Sequence, residues 1–189
     1  MAKSISEGRL RFVFPAGSRQ LKYDGSRFYN GEMKSLEMKG VDIIQVDDEH
    51  IWLIEIKDYA NPNDQSRRAQ RLLRLRDLPL TISLKVKDTL AALTILQLSS
   101  SDTRGRYRRE HYFARQIFQK KVRVALHLEF SGINRLEHSL FRQKSVRSAL
   151  LLRLRGLLRL VDGRAEIVNY QSLTPAMGWT VEVKHEPLH

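Results

Sequence analysis

Residues 41–57, VDIIQVDDEHIWLIEIK, constrain the fold more than any other stretch of this chain. Two short runs rich in Ile and Val flank the polar turn DDEH, a pattern typical of a β-hairpin. If the hairpin closes at this turn, paired positions sum to 97 and Asp42 lies opposite Glu55. Side chains alternate between the two faces of a strand, so Asp42, Glu55 and Lys57 share one face. The stretch therefore predicts two carboxylates and an ammonium on one patch of an apolar hairpin.

The pairing of Asp42 with Glu55 is energetically unfavourable, so we expect it to serve a function. Two facing acids repel, and in an apolar setting at least one would hold a proton. A hard cation removes the conflict, because Mg²⁺ binds one or two carboxylates together with water and phosphate. We therefore predict that the two acids hold Mg²⁺ or Mn²⁺, and that Lys57 stabilises charge on a phosphate or orients a water. The alternative is a structural salt bridge between one acid and Lys57.

The same residues resemble a known pattern. Asp42, a spacer of about a dozen residues and Glu55-Ile56-Lys57 on an apolar strand resemble the PD-(D/E)xK nuclease superfamily. The wider stretch GVDIIQVDDEHIWLIEIKDY resembles members of unassigned function, and the resemblance covers about residues 20–100. It implies a mixed α/β, restriction-endonuclease-like core, with a central mixed β-sheet flanked by helices. It also implies a nuclease in which the Ile56 backbone carbonyl joins the two acids as a metal ligand.

Two features around the motif match the superfamily pattern less closely. Val41 stands where the family pattern has Pro, a variation common in the superfamily. Many members supply a further acid from their first helix, and here Glu37 is the candidate, with Glu32 as an alternative. Residues 26–39 are interpreted as a short helix or a loop, because the Asn-Gly dipeptide within them disfavours a continuous helix.

Charge points to a polyanionic partner. The formal net charge is +12, and residues 104–159 carry 15 Lys and Arg against three acids, an excess equal to that of the whole chain. Nucleic acid is the expected partner, and the nuclease resemblance makes DNA the first candidate. Solvated helix faces are the alternative for these charges. The side chains predicted to contact nucleic acid are Arg67, Arg68, Arg71, Arg108, Arg109, Arg147 and Arg153.

Composition and periodicity predict one domain over residues 1–189, with a core at about 9–130 and a basic helix and terminal strands at about 143–185. Cysteine is absent, which excludes disulfides and thiolate metal sites. With no apolar leader or membrane-length window, we expect a cytoplasmic, nucleoid-associated protein without membrane contact. The predicted strands are 9–14, 19–23, 122–130, 164–170 and 178–184, and the predicted helices are 65–78, 83–98, 108–119 and 144–160.

Some alternatives remain open at this level. Residues 80–86 alternate enough to be a strand, residues 99–103 are interpreted as a linker-like loop, and the last two strands are expected to form a hairpin. Lys85 and Lys87 are interpreted as snorkelling lysines on a buried helix, and a position at the site is the alternative for either of them. The leading hypothesis is a metal-dependent DNA phosphodiesterase. A non-catalytic nucleic-acid-binding module, a protein-binding partner and a homodimer or larger complex are the other hypotheses.

Overall fold

The computed structural model describes residues 2–59, 68–129 and 139–184, with side chains described except at residues 68–75, 139–146 and 175. In this part of the chain, a five-stranded mixed sheet packs against helices on one face and against a three-stranded antiparallel sheet on the other. The prediction of a mixed α/β fold is confirmed at this level.

Along the described residues, five strands come first, and three helices, a strand, a further helix and two strands follow. The elements are β1 (Lys3–Glu7), β2 (Leu10–Phe14), β3 (Arg19–Lys22), a π-helical turn (Tyr29–Met33), a 3-10 turn (Lys34–Leu36), β4 (Ile43–Val46), β5 (His50–Asp58), α1 (Arg68–Leu98), α2 (Ser101–Arg106), α3 (Arg108–Gln116), β6 (Lys121–Glu129), α4 (Ser139–Asp162), β7 (Glu166–Val168), a 3-10 turn (Pro175–Met177) and β8 (Thr180–Val183). The large sheet has the order β3-β4-β5-β6-β7, and the small sheet has the order β1-β2-β8. Strand β5 pairs antiparallel with β4 and parallel with β6.

The predicted hairpin and its register are confirmed. Ile43 pairs with Ile54, and Val46 pairs with Ile51, so paired positions sum to 97. Alternate residues of β5 then enter two different cores. Ile51 and Leu53 pack with the helices, whereas Ile54 packs with the small sheet. Burial on both faces explains why these strands are nearly continuous runs of Ile, Val and Leu.

Helix α1 is one continuous helix, so the prediction of two helices separated near Pro79 is wrong. The alternative strand at residues 80–86 is wrong as well. It runs without interruption from Arg68 to Leu98, with Pro79 inside it. An interior proline costs a helix about 3 kcal/mol because it removes a hydrogen bond and crowds the preceding turn. The buried residues Leu78, Ile82 and Val86 flank this point, so packing against the sheet outweighs the local cost.

Strands β7 and β8, at the edges of the two sheets, pair with partners that are distant in the sequence. Strands β2 and β3 follow each other along the chain, but β2 pairs with β1 and β8, while β3 pairs with β4. The expected terminal hairpin is wrong as well, because β7 extends the large sheet beside β6 and β8 joins the small sheet. Strand β1 was not predicted. Its polar sequence and half-exposed position give it no clear apolar alternation.

Residues 99–103, interpreted as a loop, and residues 26–39, interpreted as a short helix or a loop, contain short helical turns. Residues 99–103 include the start of α2, where the Ser100 hydroxyl accepts a hydrogen bond from the Thr103 amide, as a helix N-cap does. Residues 26–39 form the π-helical and 3-10 turns rather than one helix. Within the described residues, no helix is both long enough and apolar enough to cross a membrane.

Candidate active site

Asp42, Glu55 and Lys57 meet on the helix-facing side of the β4–β5 pair, as the hairpin register predicts. Asp42 directly precedes β4, and its Oδ2 accepts a hydrogen bond of 2.6 Å from the Ile56 amide. The Lys57 ammonium lies 2.5 Å from Glu55 Oε1 and 3.1 Å from the Ile56 carbonyl oxygen. Glu55 is fully buried and Asp42 is 8 % exposed. The site is therefore a desolvated acid pair with an ammonium at its rim.

A second ammonium completes the cluster. Lys85, on α1, lies 2.7 Å and 2.9 Å from the two carboxylate oxygens of Glu55. It is also 3.5 Å from Asp42 Oδ1, so it bridges both acids. The interpretation of Lys85 as a snorkelling lysine away from the site is thus wrong. Two carboxylates and two ammonium groups share the site.

The backbone before Asp42 fixes its position. The Asp42 carbonyl accepts a hydrogen bond of 2.9 Å from the Tyr23 amide, which joins it to the end of β3. Gly40 lies so close to two aromatic rings that a Cβ there would be 2.9 Å from Tyr29 Cε2 and 3.0 Å from two ring carbons of Tyr23. Glycine fits at this position because it has no Cβ atom, and a Cβ atom does not tolerate carbon contacts this short.

Hydrogen bonds join helix α1 to residues 39–41, the segment directly before Asp42. The Val41 amide donates to Thr89 Oγ1 at 3.1 Å, and the Lys39 amide donates to Asp88 Oδ2 at 2.9 Å. Lys85 precedes these two residues by about one helical turn, so it lies on the same side of the helix. The two hydrogen bonds therefore place Lys85 beside Asp42.

Burial controls the electrostatics of the acid pair. Burial raises the pKa of the Glu55 carboxyl, and the charge of Asp42 raises it further, against the opposing effect of Lys57 and Lys85. Burial lowers the pKa of Lys85, but the charges of Glu55 and Asp42 outweigh it and leave that pKa above its ordinary value. Charged Glu55 is therefore the unfavourable member of the cluster, and Lys85 is held in its charged form.

Asp24 is a further acid near the site that no sequence motif identifies. Burial raises the pKa of Asp24, with the charge of Asp42 as the next contribution. Its Oδ1 is buried and has no hydrogen-bond partner among the described residues. The Asp-Gly turn after β3 gave no sign of this, because its proximity to Asp42 depends on the β3–β4 pairing.

The predicted additional acids lie elsewhere. Glu37 is exposed and takes a left-handed backbone conformation, with φ of 57°, at the end of the 3-10 turn. Its amide donates to the Lys34 carbonyl, and no described hydrogen bond or ion pair joins its carboxylate to Asp42 or Glu55. Glu32 Oε1 accepts a hydrogen bond from the Tyr107 hydroxyl instead. The geometry therefore does not bring Glu37 into the cluster.

The predicted nucleic-acid contacts are spread over several elements. Arg67 lies outside the described residues, as do the side chains of Arg68 and Arg71. Arg108 is exposed on α3. Three others donate to backbone carbonyl oxygens: Arg109 to Gln20, Arg147 to Ile167 and Arg153 to Arg76. These hydrogen bonds join the helices that carry the arginines to neighbouring elements. The three arginine side chains remain exposed.

The oxygen atoms at the site suit a hard divalent ion, although they are few. Among the described residues, no group of three or more His, Cys, Asp or Glu side chains could hold a metal ion. Two carboxylates and the Ile56 carbonyl remain, and the Lys57 contact shows that this carbonyl lies beside Glu55. Mg²⁺ commonly binds one or two carboxylates and completes its shell with water and phosphate, so this donor set fits it.

The chain is similar to one stretch of a much larger protein. A cysteine–tRNA ligase of Neisseria meningitidis serogroup A / serotype 4A (strain DSM 15465 / Z2491) is 31 % identical to it over 159 residues. The match covers 69 % of this chain and 22 % of the ligase. No family model matches the chain, and no solved structure matches it.

Proposed function

We propose that the protein is a metal-dependent phosphodiesterase that cuts DNA. The observation that carries the proposal is the meeting of Asp42, Glu55 and Lys57 at one buried spot, with contacts of 2.5–3.1 Å around Glu55 and Ile56. The pattern D-x(12)-E-x-K on a β-hairpin supports a place in the PD-(D/E)xK superfamily. The antiparallel β3-β4-β5 strands followed by parallel β6, with helices on one face, support a restriction-endonuclease-like core.

Asp42, Glu55 and the Ile56 carbonyl would hold Mg²⁺ or Mn²⁺. The oxygen atoms are of the type that these ions prefer, and the fully buried Glu55 gains a counter-charge from such an ion. Bound there, the ion supplies Lewis-acid stabilisation of phosphate charge and lowers the pKa of an attacking water.

Lys57 is the chain's own contribution to the chemical step. Hydrolysis forms a bond from a water oxygen to phosphorus and breaks the bond to the leaving oxygen, so negative charge builds up on the phosphate. The Lys57 ammonium is 26 % exposed at the rim of the site, within reach of a bound phosphate. Its contacts with Glu55 and Ile56 hold it in place before the substrate arrives, which reduces the reorganisation needed in the transition state.

The exposed arginines would hold the nucleic-acid backbone without reading its sequence. A guanidinium has five N–H donors, so an arginine that donates to one backbone carbonyl keeps others for a phosphate. Arg109 and Arg153 each make one such bond and remain exposed. Phosphate contacts of this kind give affinity that falls as salt concentration rises.

Nicking of a supercoiled plasmid tests the proposal. Wild-type protein with Mg²⁺ or Mn²⁺ should convert supercoiled to open-circular DNA, and EDTA should stop the reaction. Glu55→Ala and Lys57→Ala should lose on the order of a hundredfold or more in rate. Lys87→Ala is the matched control, because Lys87 is exposed on the same helix and, two residues from Lys85, lies on a different helix face. Equal nicking by wild type and Glu55→Ala would contradict the proposal.

A second candidate is a nucleic-acid-binding module without catalysis. It is favoured by Lys85, whose ammonium already balances the acid pair without any added ion. The relative is, by its name, a ligase that acts on tRNA, which makes RNA a partner to test beside DNA. This candidate predicts binding that falls with salt but is indifferent to Mg²⁺ and to Glu55→Ala. Fluorescence anisotropy with labelled DNA and RNA, at several salt concentrations, separates the two candidates.

A further inference from the structure

The Lys85 ammonium occupies the place between the two carboxylates where a cation is most favourable. It is within 2.9 Å of both Glu55 oxygens and 3.5 Å from Asp42 Oδ1. The other Asp42 oxygen is committed to the Ile56 amide. The oxygen atoms left for a divalent ion are therefore largely the ones that Lys85 contacts.

We propose that Lys85 is a built-in competitor for the divalent ion, so that an ion binds only when the Lys85 ammonium leaves the acid pair. This inference rests on the proposed metal site. With both lysines in place, two negative charges face two positive charges and the cluster is neutral. Adding a divalent ion to the neutral cluster would leave an excess of two positive charges in a poorly solvated site, which is unfavourable.

The position of Lys85 allows it to leave. Its side chain is 19 % exposed, so the ammonium has a path to water, and the flexible lysine stem can follow that path without moving the helix. The backbone of α1 stays fixed, because Thr89 and Asp88 hold it to residues 39–41. Of the two lysines, Lys85 is the one whose ammonium contacts both acids, whereas Lys57 contacts Glu55 and the Ile56 carbonyl.

The competition has a functional consequence. The site remains electrically balanced when no ion is bound, and its affinity for a free ion is reduced by the free energy needed to displace Lys85. A displaced ammonium near the rim is a favourable partner for a phosphate. Ion and phosphate should therefore bind with positive coupling, each favouring the state in which Lys85 has left the acids.

Calorimetric titration with Mn²⁺ and Mg²⁺ tests the proposal on the full chain. Lys85→Met keeps the length of the side chain and removes the charge, so it should bind Mn²⁺ at least about tenfold more tightly than wild type, a change of about 1.4 kcal/mol. Lys85→Arg keeps a cation and should bind close to wild type. Lys87→Met is the control for a charge lost from the same helix, and Asp42→Asn reports heat from ions bound elsewhere.

Lysine acetylation followed by peptide mass spectrometry gives a second measurement on the wild-type protein, which does not depend on a variant that folds. Mg²⁺ at saturating concentration should raise the acetylation of Lys85 at least about threefold, because an ammonium that has left the acid pair is more accessible to the reagent than one that is 19 % exposed beside it. The acetylation of Lys87 should not change.

The outcomes separate this inference from the proposed function. Equal or weaker Mn²⁺ binding by Lys85→Met, or unchanged acetylation of Lys85 at an ion concentration that saturates the wild type, would overturn the competitor role and leave the metal site intact. Absence of ion binding by both wild type and Lys85→Met would overturn the metal site and the competitor role together.

Discussion

Replacement of Lys85 by Met in the metal-free protein should lower the free energy of unfolding. The remaining charged groups of the site limit the size of this loss. The change removes the ammonium that lies 2.7 Å and 2.9 Å from the Glu55 oxygens. Breaking a buried ion pair by removing one partner typically costs about 3–5 kcal/mol. Here Lys57 remains as a counter-charge, and Lys85 is partly exposed, so the loss should fall below that range.

Proton uptake by Glu55 sets a ceiling on this loss. From the ordinary glutamate pKa of 4.5, protonation at pH 7 costs about 3.4 kcal/mol, at about 1.4 kcal/mol for each pH unit. Because burial and the charge of Asp42 have already raised the pKa of Glu55, the cost is smaller than this. We therefore expect Lys85→Met to lower the free energy of unfolding by about 2–3 kcal/mol at pH 7, or the Tm by roughly 4–12 °C.

Urea unfolding followed by circular dichroism, in EDTA, measures the effect. The loss should shrink to below about 1 kcal/mol at pH 5, because protonation of Glu55 becomes cheaper by about 1.4 kcal/mol per pH unit. Lys87→Met should stay within about 0.5 kcal/mol of wild type at both pH values. A loss under about 0.5 kcal/mol at pH 7, or a loss that does not change between pH 7 and pH 5, would show that the Lys85 ammonium does not stabilise charged Glu55 in this way.

Two further predictions concern Glu55 and the segment before Asp42. Burial and the charge of Asp42 raise the pKa of Glu55, so its contribution to stability is present below pH 4.5 and is lost as pH rises through the folded pKa. Urea melts should therefore show wild type losing stability relative to Glu55→Gln from pH 4 to pH 7, and a difference that changes in the opposite direction would contradict the raised pKa. Gly40→Ala should cost about 1–3 kcal/mol and slow plasmid nicking, because the new Cβ meets Tyr29 at 2.9 Å. Gly105→Ala, which meets no atom within 4 Å on α2, should be neutral or slightly stabilising.

The hairpin could be predicted from the sequence because its evidence is local. The turn and the alternation of apolar residues determine the register of β4 and β5, and that register places Asp42 opposite Glu55. Helix α3 and strand β6 were also predicted, to within a few residues at their ends, since each is a short segment with its own period. In these elements, the local pattern and the tertiary structure favour the same conformation.

The wrong predictions concern elements whose structure depends on residues that are distant in the sequence. No local signal pairs β2 with β8, because their contact joins the two ends of the chain. Pro79 favours a break in α1, and only the packing of Ile82 and Val86 against the sheet explains why the helix continues. The favoured interpretation of Lys85 as a snorkelling lysine is wrong for the same reason. Its place at the site depends on hydrogen bonds from residues 39 and 41, more than forty positions earlier.

Asp42 shows why the fold and the proposed chemistry depend on each other. The β4–β5 ladder ends at the pair Ile43–Ile54, and beyond it the Asp42 side chain, through Oδ2, accepts the hydrogen bond from the Ile56 amide. A buried amide without a partner costs about 1–3 kcal/mol, so this oxygen contributes to folding. The other oxygen, Oδ1, faces Lys85 and is the one available to a cation. A hairpin that needs a side-chain acceptor at this position therefore also presents a carboxylate to Glu55, and the electrostatic conflict that follows is relieved by Lys85 or, on our proposal, by a metal ion.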